Sequence, residues 1–271
     1  MQLCEDAMLV FRHGDTTGHT EVSAIGEGES ESSSEGEGGS LLLSGCSKGS
    51  SVYMCVADGV GSWRGRGVDP RLYSHGLVRN LRAVLEADAA QKAFAEGEAS
   101  SSAMSMSLSP AEALAEAWRL SALDEVTGSS TVLLATLDRR RNQLVYTNVG
   151  DCGLMVIRSV DAETAGYRFM RKSISTSSSS IAASSSSVGR PRDLRIAYLS
   201  QQQLRSFNLP YQLGFSALVD FPGSFETPDD ADDAAIAVLP GDIVIMATDG
   251  LFDNVDLDEI VDIAAQWDLE W

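Results

Sequence analysis

Three acidic sites lie next to runs of apolar residues that are far apart in the sequence. They are Asp58-Gly59 after residues 52–57, Asp249-Gly250 after residues 243–248, and Glu5-Asp6 before residues 7–11. Apolar runs rich in β-branched and aromatic residues predict buried strands, and an Asp-Gly step predicts a turn at the end of a strand. A plain turn would explain one such step. Because acidic residues recur at three predicted strand ends, we expect their carboxylates to share one cation site.

The residue types around these sites favour a hard divalent cation. Mg²⁺ and Mn²⁺ prefer oxygen ligands such as carboxylates and keep several water molecules. Zinc sites use histidine and cysteine, and the three histidines, His13, His19 and His75, form no ligand pair by spacing. The sequence therefore predicts a magnesium or manganese site and argues against a zinc site.

Longer motifs surround these acidic residues. They read Asp58-Gly-Val-Gly-Ser-Trp-Arg64-Gly-Arg-Gly-Val-Asp69-Pro70, Thr127-Gly-Ser-Ser-Thr131, Asn148-Val-Gly-Asp151, Leu209-Pro-Tyr-Gln-Leu213, and Gly241-Asp-Ile-Val followed by Thr248-Asp-Gly-Leu-Phe-Asp253-Asn254. In order and extent they resemble the PP2C family of metal-dependent serine/threonine protein phosphatases, in the branch that has valine instead of histidine after the first Asp-Gly. The resemblance implies one domain, residues 1–271, in which two antiparallel sheets pack face to face with helices outside each sheet.

The resemblance implies a pair of Mg²⁺ or Mn²⁺ ions at the predicted site. Asp58 would bridge both ions, the carbonyl group of Gly59 would bind one, and Asp249 would bind the other. Two such ions can hold a phosphoryl group and activate a water molecule that attacks the phosphorus atom, so no protein nucleophile is required.

Four further acidic residues match positions of the family site. Glu5 and Asp6 would hold metal-bound water molecules. Asp151 and Asp253 match positions that form a third metal site in relatives, together with Asp249. Asp151 also has a simpler interpretation, as a turn residue between two strands.

The sequence departs from the family pattern in three places. Val60 stands where many relatives have a histidine, and the arginine that precedes the Glu-Asp pair in some members is absent. Arg64 is a candidate for the phosphate contact, or it pairs with a surface carboxylate. The last metal-binding aspartate of the family lies on a strand after the final helix, and the sequence ends before it, at Trp271. We therefore expect a domain that is incomplete at its C-terminus.

The function implied by the resemblance is hydrolysis of phosphoserine and phosphothreonine in protein substrates. The alternative is a catalytically weak or dead phosphatase-like module that binds phosphoproteins. Retention of Asp58 and Asp249 favours the enzyme. A chain that lacks the last aspartate is expected to bind one ion well and to hydrolyse phosphoproteins poorly.

The composition limits the partners of the protein. The chain has 271 residues, of which 44% are hydrophobic, and a net charge of −19, which disfavours binding to nucleic acid. No apolar run reaches the length of a membrane span. Four cysteines without a C-x-x-C spacing indicate buried free thiols in a reducing compartment. We expect a soluble intracellular monomer, in a mitochondrion or plastid if a targeting segment precedes the chain.

The order of predicted elements indicates an α+β fold rather than alternating βαβ units. Strands are predicted at 7–11, 52–57, 130–137, 143–149, 153–158, 194–199, 234–239 and after Gly241, with Asp229, Asp230, Asp232 and Asp233 in a solvated turn. Helices are predicted from Asp69-Pro70 with a buried stripe of Tyr73, Leu77, Leu81 and Val84, from the capping box Ser109-Pro-Ala-Glu112 with Leu114 and Trp118 buried, and from Asp256 with Ile260, Ala264 and Trp267 inward. Low-complexity segments near 27–40, 96–107 and 173–187 are predicted to be disordered loops.

Overall fold

The computed structural model describes residues 6–12, 51–98, 107–159, 194–217 and 225–267. The strands in these ranges are β1 (Asp6–Arg12), β2 (Val52–Gly59), β3 (Gly128–Asp138), β4 (Gln143–Val149), β5 (Gly153–Ser159), β6 (Leu194–Leu199), β7 (Leu204–Ser206), β8 (Leu209–Pro210), β9 (Leu213–Phe215), β10 (Asp232–Ala237) and β11 (Ile243–Ala247). The α-helices are α1 (Arg71–Glu98), α2 (Pro110–Asp124), α3 (Asp249–Phe252) and α4 (Leu257–Trp267). Two short 3₁₀ helices span Gly61–Arg66 and Pro228–Asp230.

The strands form two antiparallel sheets and a small hairpin. The first sheet has the order β1-β2-β3-β4-β10, and β9 pairs with the beginning of β3. The second sheet has the order β11-β5-β6, and β7 pairs with β8. Successive side chains of a strand point to opposite faces of its sheet. Each sheet therefore has one face for the space between the sheets and one face for a helix layer.

The core between the two sheets consists of alternate residues from both of them. Leu133 and Ala135 of β3 lie in one buried cluster with Leu154 and Val156 of β5. Burying one leucine side chain contributes about 1.5–3 kcal/mol, so this contact holds the sheets face to face. The free thiol of Cys152 is buried in the same cluster.

Helices α1 and α2 cover the other face of the first sheet. Val132 and Leu134, which alternate with the inter-sheet residues of β3, pack in a cluster with Leu77 and Leu81 of α1. The free thiol of Cys55 belongs to this cluster. The residues predicted to form the buried stripe of α1 are all buried, namely Tyr73, Leu77, Leu81 and Val84.

The beginning of α2 is the predicted capping box. The Ser109 side chain accepts a hydrogen bond from the Glu112 backbone, and the Glu112 carboxylate accepts one from the Ser109 backbone. Leu114 is fully buried in α2, whereas Trp118 is only partly buried against the same core. The prediction is therefore confirmed for the cap and for Leu114.

Helix α4 covers the outer face of the second sheet. Met155 and Ile157 of β5 form a buried cluster with Ile260 and Ala264 of α4, while the side chain of Trp267 lies outside the described residues. The layers thus run from helices through two sheets to a helix, which confirms the predicted α+β sandwich.

Several predicted boundaries are wrong. The first helix begins at Arg71, with Asp69 accepting a hydrogen bond from the Arg71 N–H group, and it continues to Glu98, so residues 96–98 are helical rather than loop. Strand β10 begins at Asp232 and ends at Ala237, so the last two residues of the predicted acidic turn belong to a strand. The reason is that the 3₁₀ turn 228–230, closed by its own cap, completes the change of direction before Asp232.

Other sequence predictions fall outside the described residues. They include the segments 27–40 and 173–187 and residues 99–106 of the segment 96–107. Among the described residues, no helix is long and apolar enough to cross a membrane.

Candidate metal centre

The pairing of β1 with β2 brings the first two carboxylates together. Asp6 lies opposite Asp58 in the register of these strands, and Asp58 lies opposite Thr131 of β3 on its other side. The hydroxyl group of Ser130 donates a hydrogen bond to the Asp58 carbonyl oxygen at 2.8 Å. Asp58 is thus fixed between two neighbouring strands.

Asp58 is electrostatically strained in this position. Burial, followed by the charges of Asp6 and Asp249 and hydrogen bonding with both side chains, raises the pKa of Asp58 to about 8. Asp6 belongs to the first sheet, whereas Asp249 follows β11 of the second sheet. The three predicted strand ends therefore meet at one edge of the sandwich.

Asp151 lies in the tight connection between β4 and β5. Hydrogen bonds from other polar groups hold this connection in place. The amide of Asn148 donates hydrogen bonds to the carbonyl oxygens of Gly150 and Cys152, at 3.3 and 3.0 Å. Gln203 also holds this connection through two hydrogen bonds. Its side-chain Oε1 atom accepts one from the Gly150 N–H group, and its backbone N–H group donates one to the Gly150 carbonyl oxygen. Burial, and then the charges of Asp249 and Asp253, raise the pKa of Asp151 to about 6.

Gly150 is required by this connection. Its φ of +112° is a conformation that other residues rarely adopt. A Cβ atom at Gly150 would lie 2.6 Å from the carbonyl oxygen of Tyr211 and 2.7 Å from the Thr131 side chain. The chain therefore approaches both neighbours closely at the residue that precedes Asp151.

Asp249 and Asp253 lie at the two ends of one helical turn. The structure makes Asp249 the first residue of α3 and Thr248 its N-cap, so the turn predicted for Asp249-Gly250 is a short helix instead. The N–H group of Asp253 donates to the Asp249 carbonyl oxygen at 2.8 Å. The ring of Phe252 packs against Gly153, where a Cβ atom would lie 2.4 Å from the ring. This contact packs α3 against the beginning of β5.

The donors of this cluster fit magnesium or manganese. The five carboxylates, Asp6, Asp58, Asp151, Asp249 and Asp253, are oxygen ligands, and their mutual repulsion is relieved by a cation. The described ranges contain no three His, Cys, Asp or Glu side chains grouped closely enough for one ion. The carboxylate of Asp58 interacts with that of Asp6 on one side and with that of Asp249 on the other. Each of these two pairs suits Mg²⁺, which usually binds one or two carboxylates and retains water.

Two predicted site residues are not part of this cluster as described. Glu5 lies outside the described residues. Arg64 is exposed on the 3₁₀ helix, and its charge is one of the causes, after the hydrogen bond from Arg71, that lower the pKa of Asp69. This proximity favours the pairing of Arg64 with a surface carboxylate.

The sequence interpretation missed Gln203 and gave Asn148 no role. Gln203 is 53 residues from Gly150, and no motif marked it, so only the tertiary fold reveals this contact. Asn148 was part of a quoted motif. Its position two residues before a glycine, in a buried strand, is the signal that could have identified it as a support for the turn.

Comparison with known proteins gives several sequence relatives that are named protein phosphatases. No family model matches the chain. A protein phosphatase PTC7 homolog of Xenopus laevis is 30% identical over 204 residues, which cover 74% of this chain and 52% of that protein. The human protein phosphatase PTC7 homolog is 28% identical over 208 residues, covering 76% of this chain and 53% of that protein. The chain thus spans about half the length of these curated relatives.

A solved structure has a similar fold. The X-ray structure of the photosystem II phosphatase PBCP matches with a TM-score of 0.55 and 22% identity, over 96% of this chain and 65% of that chain. At this identity the similarity concerns the fold. Taken with the sequence similarity to PTC7 phosphatases and the order of the motifs, it supports placing the chain in the PP2C family of protein phosphatases.

Proposed function

We propose that the chain is a metal-dependent protein phosphatase that hydrolyses phosphoserine and phosphothreonine. The observation that carries the proposal is the position of Asp58, which lies between Asp6 of the same sheet and Asp249 from the other sheet. Carboxylates about 4 Å apart repel one another by about 4 kcal/mol at an effective dielectric constant of 20. A cluster of this kind favours divalent cations, and the relatives are protein phosphatases.

The proposed roles follow the family pattern. Asp58 would bind both of two Mg²⁺ or Mn²⁺ ions, with the Gly59 carbonyl on one and Asp249 on the other. Asp6, together with Glu5, would hold water molecules of these ions. The ions would supply an activated water molecule for attack on phosphorus and would offset the charge of the phosphoryl group.

The second part of the cluster has a separate proposed role. Burial, and then the nearby charges of Asp249 and Asp253, raise the pKa of Asp151, so these three carboxylates lie close together. We propose that they hold a third ion. Since carboxylates bind metal when they are deprotonated, Asp58 and Asp151 would release protons as the ions bind.

The substrate would be a phosphoprotein rather than a nucleic acid. The net charge of −19 repels phosphate backbones, whereas a site with bound cations would attract a single phosphoryl group locally. We propose that the protein acts as a monomer inside the cell.

Phosphate release from p-nitrophenyl phosphate and from phosphoserine, phosphothreonine and phosphotyrosine peptides tests this function. The chain should require Mn²⁺ or Mg²⁺, lose activity in EDTA, and prefer the phosphoserine and phosphothreonine peptides. Asp58→Asn should be inactive, whereas Asp233→Asn, which changes an exposed carboxylate of β10, should not. A chain that binds phosphopeptide without releasing phosphate at any metal concentration would be the phosphoprotein-binding module instead.

A further inference from the structure

Three residues that are not predicted metal ligands, one from each of three quoted motifs, meet in a row of hydrogen bonds that is buried at Trp63 and Ser129 and half-buried at Gln212. The indole Nε1–H group of Trp63 donates to Ser129 Oγ at 2.6 Å, and the Ser129 hydroxyl donates onward to Gln212 Oε1 at 2.5 Å. The amide of Gln212 is oriented by its Nε2–H group, which donates to the Pro210 carbonyl at 3.3 Å. The row has one direction, because an indole only donates and an amide oxygen only accepts. We call it the Trp63–Ser129–Gln212 relay.

Ser129 connects this relay to the backbone beside Asp58. The Ser129 carbonyl oxygen accepts a hydrogen bond from the Val60 N–H group at 3.0 Å. The Gly59–Val60 peptide is planar and trans, so its carbonyl points in the direction opposite to its N–H group. The hydrogen bond to Ser129 therefore turns the Gly59 carbonyl away from β3.

The far end of the relay is anchored by an ion pair whose carboxylate is buried. The backbone N–H group of Gln212 donates to Glu226 Oε2 at 2.9 Å, and the other carboxylate oxygen of Glu226 accepts from the Arg205 guanidinium. Only 6% of the Glu226 side chain is exposed. A buried carboxylate needs partners for its oxygens, and the half-exposed Arg205 and the Gln212 N–H group supply them, so Glu226 holds the Gln212 backbone in place.

The side chains of the relay leave little freedom for another arrangement. Ser129 is fully buried, and 3% of Trp63 is exposed. The indole ring of Trp63 also packs against Phe225, with ring centroids 6.3 Å apart. A polar row at this depth is costly unless every member is satisfied, which explains why an indole, a hydroxyl and an amide occur together here.

We propose that Trp63, Ser129 and Gln212 are positioning residues that hold the Gly59 carbonyl in the orientation required by a divalent cation next to Asp58. This inference rests on the proposed metal-dependent function for the identity of the ion. Groups that orient a metal ligand without touching the metal typically contribute 10–100-fold to metal affinity. The relay thereby connects the hairpin β7–β8 to the ligand backbone through side chains from three distant motifs.

Mn²⁺ titration by calorimetry tests the relay without depending on catalysis. Trp63→Phe keeps an aromatic ring and removes the donor, Ser129→Ala removes the hydroxyl, and Gln212→Met keeps the side-chain length and removes the acceptor. Each should weaken Mn²⁺ binding by about 10–100-fold. The control variant is Trp118→Phe, which makes the same replacement of tryptophan by phenylalanine in α2, away from the relay. It should bind Mn²⁺ like the wild-type chain.

Two further readouts separate positioning from packing. The double variant Trp63→Phe/Ser129→Ala should bind Mn²⁺ about as tightly as the single variant with the lower Mn²⁺ affinity. The reason is that the effects of substitutions within one hydrogen-bonded network are not additive. Excess Mn²⁺ should restore kcat of the single variants with an unchanged KM for a phosphopeptide. A variant that only loosened the fold would not recover in this way.

The outcomes distinguish this inference from the proposed function. Folded single variants with wild-type Mn²⁺ affinity would overturn the relay, even if the wild-type chain is an active phosphatase. If Trp63→Phe does not fold, the half-buried Gln212→Met still decides the question. A wild-type chain that binds Mn²⁺ but releases no phosphate overturns the proposed function alone. A wild-type chain that does not bind Mn²⁺ overturns both.

Discussion

The two sides of the carboxylate cluster are built in different ways. Asp6 and Asp58 lie on adjacent strands of the first sheet, and β3 pairs with the next edge of β2. Asp249 begins the single turn α3 and Asp253 caps its end, and this turn follows the half-buried strand β11. Strand pairing fixes Asp58 from both sides and Asp6 from one, whereas the second side depends on a few contacts such as Phe252 against Gly153. Ligands of one site can therefore differ in rigidity.

The largest difference is expected between substitutions on the two sides. Asp58→Asn removes a carboxylate that contacts both neighbours, so Mn²⁺ affinity should fall by at least about 100-fold and phosphatase activity should be lost. Asp253→Asn changes an exposed carboxylate of the second side and should weaken Mn²⁺ binding by about 10-fold or less. Calorimetry and phosphate release measure both effects. Equal losses in the two variants would contradict the comparison.

The packing of α3 against β5 can be tested by adding one methyl group at Gly153. Gly153→Ala places a Cβ atom into the Phe252 ring, and overpacking of this kind costs about 1–3 kcal/mol. The free energy of unfolding, from denaturant melts, should fall by this amount, and Mn²⁺ affinity should fall with it because Asp249 and Asp253 move.

Gly76→Ala is the matched control for that experiment. A Cβ atom at Gly76, in α1, has its nearest neighbour at 3.8 Å, which is an ordinary contact. Alanine is preferred to glycine inside a helix by about 1 kcal/mol, so this variant should be slightly more stable with unchanged Mn²⁺ affinity. A loss of Mn²⁺ affinity here would mean that the helix layer also controls the site.

The raised pKa values predict an unusual pH dependence of the metal-free chain. The pKa is about 8 for Asp58 and about 6 for Asp151, whereas an aspartate in the unfolded chain has a pKa near 3.8. Between pH 4 and 8 the folded state therefore holds protons that the unfolded chain has lost, and stability decreases as the pH rises through this window.

Thermal melts in EDTA measure this dependence. The melting temperature should fall from pH 5 to pH 8.5, less steeply in Asp58→Asn, and Mn²⁺ should remove most of the fall because it replaces the protons. Carboxylates with lowered pKa values, such as Asp69, act in the opposite sense only at more acidic pH. A melting temperature that rises with pH in EDTA would rule out mutual repulsion in the cluster.

The smallest expected effect concerns the cap of α2. Ser109→Ala removes one side of the capping box and should lower the free energy of unfolding by about 1 kcal/mol. Mn²⁺ affinity should not change, since Ser109 is on the helix layer. Denaturant melts and calorimetry together would show whether stability and metal binding can be separated in this fold.

Local signals in the sequence predicted much of the fold. The bounds predicted for β4 and β6 agree with the structure, and the capping box of α2 is present, because alternation and capping act within a few residues. The predicted start of β10 was wrong, since the clustered aspartates favoured a turn. Pairing with β4, a tertiary effect, extends the strand to Asp232 instead.

Short-range patterns in the sequence indicated the carboxylates that the structure brings together, but not the residues that support them. Asp-Gly steps indicated Asp58 and Asp249 because carboxylates at strand ends are a short-range pattern. The contact of Gln203 with Gly150 and the relay through Ser129 join residues that are 53 to 83 positions apart. No periodicity encodes such contacts, and they become visible only when the sheets are assembled.

The two buried cysteines make the layers of the sandwich chemically distinguishable. Burial raises the pKa of Cys55 to about 12 and also raises the pKa of Cys152, so neither thiol forms a reactive thiolate in the folded chain near neutral pH. Cys55 is enclosed under the helices and Cys152 between the sheets. The rate at which each is alkylated therefore reports how often its own layer opens. Mn²⁺ should slow alkylation of Cys152 more than that of Cys55, because the carboxylates proposed to bind it come from both sheets and would hold the inter-sheet layer closed.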